Sequence, residues 1–217
     1  MLLKLVNNIL LLSRIDAKMV EIKPTPIDFP EFFKAKCMMG WTQGVKPGVE
    51  TKIETNEDHL MVEIDDTHVG LIIETLCRIS CLSTDKGSIH ARYLYHSGLM
   101  TLMFKDTGQS MSDEQKECVR NRNMNEESGN YSIMIQLIIC QQLAALMGGQ
   151  MEFESEQGKG NTFCISFPCK ILEMPQQKEP TVTSNNDLLA NSDLLANTDM
   201  LSEEDINNLL ANSDLFK

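Results

Sequence analysis

The chain has 217 residues, of which 42% are hydrophobic, enough to bury one core of ordinary size with short extensions. Its formal net charge of −12 excludes a nucleic-acid surface, because phosphate contacts need clustered Lys and Arg that the sequence lacks. Seven cysteines, an odd number at irregular spacing, fit reduced thiols of a cytoplasmic protein rather than a disulfide framework.

The first twelve residues are apolar, but Lys4, Asn7 and Asn8 interrupt them and no small-residue cleavage site follows. The stretch is also too short to span a bilayer, so no membrane segment is expected. Leu2, Leu5, Ile9 and Leu12 recur at spacings of three, four and three, the stripe of a coiled coil or helix bundle. A short amphipathic helix is marginal alone, so this one either docks on its own domain or pairs with another chain.

Pro24, Pro26 and Pro30 predict a stiff extended connector, after which Asp28 and Pro30 open a helix through Phe32, Phe33 and Cys37. Val49, Thr51 and Ile53, then Leu60, Val62 and Ile64, alternate as two strands, with residues 55–58 as a candidate hairpin turn. From Asp66, the residues Val69, Ile72, Ile73, Leu76 and Ile79 fall on one helical face. Residues 89–95 and 100–106 predict a second hairpin over His96, Ser97 and Gly98. Residues 109–130 carry no apolar period and read as a mobile loop. A last helix begins at Ser132 and stops at Gly148 and Gly149, followed by strands on either side of Gly158-Lys159-Gly160.

This order of elements predicts an α/β two-layer sandwich, a mixed sheet with helices on one face, over residues 24–172. Residues 1–23 form a preceding helix, and residues 173–217 a linker and an acidic, mostly disordered tail. From residue 178 onward the tail holds eight acidic residues against two lysines, a net of −6, with Leu pairs in a repeated Asn-Ser-Asp-Leu-Leu-type unit.

Residues 143–168, LAALMGGQMEFESEQGKGNTFCISFP, resemble the close of the ATP-binding domain of sensor histidine kinases, the GHKL group with its Bergerat-type fold. There a helix ending in Met-Gly-Gly runs into a hairpin with a Gly-Lys-Gly-Ser-Thr-Phe turn. The first helix and the proline-rich segment after it similarly resemble the second helix of the kinase dimerisation domain and its linker. The helix that carries the phosphorylated His in that family is not seen in the sequence. The resemblance implies two-component signalling, with pairing through Leu2, Leu5, Ile9 and Leu12 to a second copy or to an intact sensor kinase.

It also implies an ATP site whose motifs are checked by position. Asp106, Thr107 and Gly108 match the run in which the Asp accepts from the adenine amino group; as plain chemistry, Asp106 and Gly108 equally form the turn ending a strand. The motif's usual second glycine is Ser110. The two asparagines of the helix that binds magnesium fall on Thr75 and Ile79, and Ile79 has no ligand oxygen for a cation that demands them. The lysine that normally follows is Leu82. The three glycines of the motif that lets backbone N–H groups approach the triphosphate fall on Ser132, Met134 and Gln136, with only Leu137 kept.

A micromolar ligand has about −8 kcal/mol of binding free energy, and each lost hydrogen bond to a charged group removes roughly 1.5–3 kcal/mol. Loss of the metal ligand and two or three phosphate donors removes most of it. The expectation is a pseudokinase that binds no ATP or magnesium. Alternatives are a residual ATP-binding domain acting with a partner chain that supplies the His, and a truncated gene remnant. His59, His68, His90 and His96 lack a phosphoacceptor context, and Gly158-Lys159-Gly160 lies in a hairpin rather than before a helix. Cys77 and Cys81, one turn apart, are expected in the core rather than on a metal. In the tail, the stretch from Leu201 to Leu210 resembles the acidic peptide by which a flagellar switch protein binds a response-regulator receiver, although Asn207 and Asn208 depart from it; a disordered spacer is the other reading.

Overall fold

The computed structural model describes residues 2–42, 44–122 and 131–173, so the tail, its candidate receiver contact and residues 123–130 lie outside the described residues. Helix α1 (Leu2–Asp16) leads into β1 (Thr25–Asp28) and α2 (Phe29–Trp41). Strands β2 (Val49–Glu54) and β3 (Met61–Ile64) precede α3 (Asp66–Ser83). Then follow β4 (Gly87–His96), β5 (Leu99–Asp106), α4 (Asp113–Asn121) and α5 (Tyr131–Leu146). The domain closes with β6 (Gln150–Glu156), β7 (Gly160–Pro168) and β8 (Lys170–Glu173).

Five strands form the main sheet in the order β2-β4-β5-β7-β6, with β2 parallel to β4 and the other pairs antiparallel. Register puts Ala91, Phe104 and Phe163 in one cross-strand row and Tyr93, Leu102 and Ile165 in the next. These side chains are buried with Val69, Ile72, Ile73 and Leu76 of α3 and with Ile135, Leu137 and Ile138 of α5. The helical and two-residue periods thus meet in one core. Phe29 and Phe33 of α2 lock onto the sheet through edge contacts with Tyr93 at 4.8 and 5.3 Å.

Local signals explain the boundaries. Asp65 caps α3 by accepting from His68 N at 2.9 Å. Ser97 and Gly98, both at positive φ, form the two-residue turn between β4 and β5. Gly148 is left-handed and Gly149 N donates to Ala144 O at 2.9 Å, which stops α5.

Three expectations need correction. Strands β2 and β3 do not form a hairpin, because β2 runs parallel to β4 while β3 lies between β1 and β8 in a separate three-stranded sheet. Alternation reports which face of a strand is buried, not which strand it pairs with. The proline connector contributes β1, whose one proline, Pro26, is tolerated at a sheet edge. Part of the expected loop is α4, set by a capping box between Ser112 and Gln115 and anchored by buried Cys118 and Val119. Two apolar residues are too few to show a period.

Helix α1 packs along α5, with Ile15 buried and Leu5, Leu11 and Leu12 against the core. Of the expected inter-chain stripe, Leu5 and Leu12 therefore pack on their own domain. Ile9 points outward at 45% exposure, beside Val6 and Leu10. No helix among the described residues is long and apolar enough to cross a membrane. All seven cysteines are free and buried, Cys77 and Cys81 between helices of the core.

Candidate nucleotide site

The rows of apolar pairs on the inner face of the sheet end in a polar one. Asp106 of β5, Asn161 of β7 and Ser155 of β6 stand side by side in register, each less than a tenth exposed. Asn161 Nδ2 donates to Asp106 Oδ1 at 2.8 Å and to Gln109 O at 3.0 Å, and Ser155 Oγ donates to Asn161 Oδ1 at 2.7 Å. Met111 N donates to Ser155 Oγ at 2.7 Å, which ties the segment after β5 to this row. Asn161 and Ser155 escape a reading of the sequence because only register brings them to Asp106.

Gly108 N donates to Asp106 Oδ1 at 3.0 Å. A Cβ at Gly108 would overlap the Ser83 carbonyl and lie 2.7 Å from Thr84 Oγ1, so the glycine is what lets this turn press against the end of α3. The turn and the polar row are one construction.

Asp106 Oδ2, Ser80 Oγ and Thr84 Oγ1 are buried and make no hydrogen bond. Burial raises the Asp106 pKa above the ordinary carboxylate value, with bonds from Asn161 and Gly108 opposing the rise. The Ser80 hydroxyl stands close enough to favour the charged form without completing a hydrogen bond. Unsatisfied buried polar atoms are uncommon. An unpartnered carboxylate oxygen with two unpartnered hydroxyls near it suits a ligand that both donates and accepts, as an amino-substituted heteroaromatic edge does.

A cleft of about 120 Å³ opens next to this row. Three of the expected site residues, Ile79, Ser110 and Met134, line it together with Gln109, Leu137 and Asn161. The other three, Thr75, Ser132 and Gln136, line a second cavity of about 470 Å³ between α1, α3 and α5. The candidate site is therefore divided, with α3 and α5 packed between its halves.

A purine edge fits the first half by its orphaned polar atoms. Magnesium does not fit: Ile79 is aliphatic and 2% exposed, and Met134 is 1% exposed where a bare backbone would be needed to approach a triphosphate. Among the described residues, no group of three His, Cys, Asp or Glu side chains could hold a metal ion.

Residues 72–171 match the family of histidine kinase-, DNA gyrase B- and HSP90-like ATPases, and they form a domain of that class. The chain is 24% identical over 180 residues to the sensor protein EvgS of Escherichia coli, covering 79% of this chain and 15% of that protein. It is 25% identical over 179 residues to the histidine protein kinase DivJ of Caulobacter vibrioides, covering 80% of this chain and 30% of that one. Full-length ShkA, solved in complex with AMPPNP, superposes with a TM-score of 0.67 at 21% identity, over 80% of this chain and 37% of that chain. The catalytic domain of the histidine kinase ThkA superposes with a TM-score of 0.53 at 18% identity, over 69% of this chain and 96% of that one. Residues 72–171 thus carry a histidine kinase-like ATPase domain, and the chain spans a minor part of EvgS, DivJ and ShkA.

Proposed function

We propose that this domain is a non-catalytic signalling module, a histidine-kinase ATP-binding domain that keeps the fold and the adenine-recognising row but holds no magnesium-bound triphosphate. The observation that carries the reading is Ile79, buried and without a ligand oxygen at the position where the resemblance expects a metal-binding amide. Ser132, Met134 and Gln136 support it. They continue a regular helix where the family has flexible glycines, and Gln136 Nε2 donates to Ser132 O at 2.7 Å and to Ser132 Oγ at 3.1 Å.

The orphaned Asp106, Ser80 and Thr84 atoms favour a second reading, residual nucleotide binding with a partner chain supplying the His. Titration calorimetry with Mg-ATP separates the two. The first reading expects no saturable heat, whereas binding at tens of micromolar would establish the second. Signalling would then run through association, with α1 pairing to a second copy or to an intact sensor kinase by the face that carries Ile9.

A further inference from the structure

We propose that the cavity between α1, α3 and α5 is a metal-free oxyanion site, in which Arg78 takes the phosphate group of a small ligand. This goes beyond the preceding reading, since it needs neither magnesium nor an adenine contact.

Arg78 is the centre of the cavity. Its Nη2 donates to Gln136 Oε1, and the Gln136 amide is held in that orientation because its own Nε2 is committed to Ser132. No ion pair to Arg78 exists among the described residues, although Glu74 stands one turn before it on α3, the spacing at which such pairs usually form. Glu74 Oε1 instead accepts from Lys36 Nζ at 2.8 Å. The Cys140 thiol also faces Arg78, but burial pushes it up to about 12, so it stays protonated and supplies no counter-charge. Burial disfavours the charged guanidinium, which lowers the Arg78 pKa from its ordinary value without discharging it near neutrality. A half-buried cation without a counter-ion costs free energy that a bound anion would recover.

The surroundings favour phosphate over a carboxylate. A guanidinium fork alone satisfies the two oxygens of a carboxylate. A tetrahedral phosphate needs further donors from other directions, and Asn7 and Asn8 of α1, Thr75 of α3 and Ser132 of α5 line the same space. The volume of about 470 Å³ lies within the roughly 300–1,000 Å³ of small-molecule sites. Asn7 and Asn8 share the cavity wall with Leu11, so α1 brings amide groups as well as apolar surface to this space.

The test is a titration of the full chain with inorganic phosphate in a chelating buffer at constant ionic strength, read by amide and side-chain NMR. Saturable shifts at Asn7, Asn8, Gln136 and the Arg78 Nε–H are expected, with affinity on the order of millimolar. Arg78→Met keeps the aliphatic stem and should weaken binding by on the order of 10- to 100-fold. Gln136→Glu places a built-in counter-ion beside Arg78, so it should raise the melting temperature and abolish the phosphate response even if the first variant folds poorly. Parallel titrations with AMP and adenosine identify the source: equal affinity for AMP and phosphate marks the free ion, and tighter AMP marks a nucleotide phosphate. No saturable shift in the natural chain, or unchanged binding in Gln136→Glu, overturns the proposal. Because no metal or triphosphate is present, this outcome is independent of the Mg-ATP titration.

Discussion

Replacing Asp106 by Asn should stabilise the fold at neutral pH while removing the charged acceptor at the heart of the candidate site. Asp106 is fully buried; Oδ1 accepts from Asn161 Nδ2 and Gly108 N, and Oδ2 has no partner. In the variant the amide oxygen keeps both existing bonds. The new NH₂ lies where it can donate to the unpartnered Ser80 hydroxyl. An unsatisfied buried polar group costs about 1–3 kcal/mol, so a gain of that order is expected, or about 2–4 °C in melting temperature per kcal/mol for a chain of this size.

The pH dependence follows from the direction of the shift. The folded pKa of Asp106 is raised, chiefly by burial, so between the ordinary carboxylate value and that raised value the native state binds more protons than the unfolded chain. The natural protein therefore loses stability as pH rises through this window and holds constant above it. The advantage of Asn should shrink as pH falls back through the same window. Urea melts of both proteins across a pH series measure this. A variant less stable than the natural protein at neutral pH, or an advantage independent of pH, would show that Oδ2 already has a partner and would refute the reasoning.

Asp65→Ala removes the α3 cap, the bond from Lys23 N at 2.7 Å and the contact with His68 Nδ1 at 2.9 Å, and should cost about 2–4 kcal/mol by chemical denaturation. Burial would raise the Asp65 pKa, but the bonds from Lys23, His68 N and the imidazole outweigh it and the net shift is downward. Its contribution is thus present above the ordinary carboxylate pKa and lost as pH falls through the lowered one, so the deficit of the variant should close in acid. Gly149→Ala places a Cβ into the Ser166 carbonyl and 2.7 Å from Phe167 Cα, and backbone on both sides prevents relief. A loss of about 3 kcal/mol is expected, against about 1–2 kcal/mol for Gly148→Ala, which meets only ordinary contact with the Pro168 ring but a positive φ. If α1 mediates pairing through its outward face, Ile9→Glu should reduce the mass found by light scattering to that of one chain with no change in melting temperature, since Ile9 is 45% exposed.

Much of the fold was legible along the chain because it rests on neighbours in sequence. The Asp65 cap and the apolar face of α3, the left-handed pair at Ser97 and Gly98, and the Gly148-Gly149 stop are each complete within a few residues. Long-range pairing was not legible. The alternation of β2 and β3 states a buried face, and only the folded sheet sends one to β4 and the other between β1 and β8. Helix α4 escaped because a capping box and two buried residues hold it where no apolar period exists.

The candidate site divides along the same line. Residue identity alone carries the expectation that Ile79 offers no oxygen to a metal and that Ser132, Met134 and Gln136 stand where the resemblance places glycines, since the chemistry of a side chain does not depend on its surroundings. Tertiary structure alone aligned Asp106, Asn161 and Ser155 from three strands, left Oδ2 of Asp106 without a partner, and brought Arg78 to Gln136 across two helices. Burial and unmet hydrogen bonds are properties of contacts between distant segments, and these come into being only when the chain closes on itself.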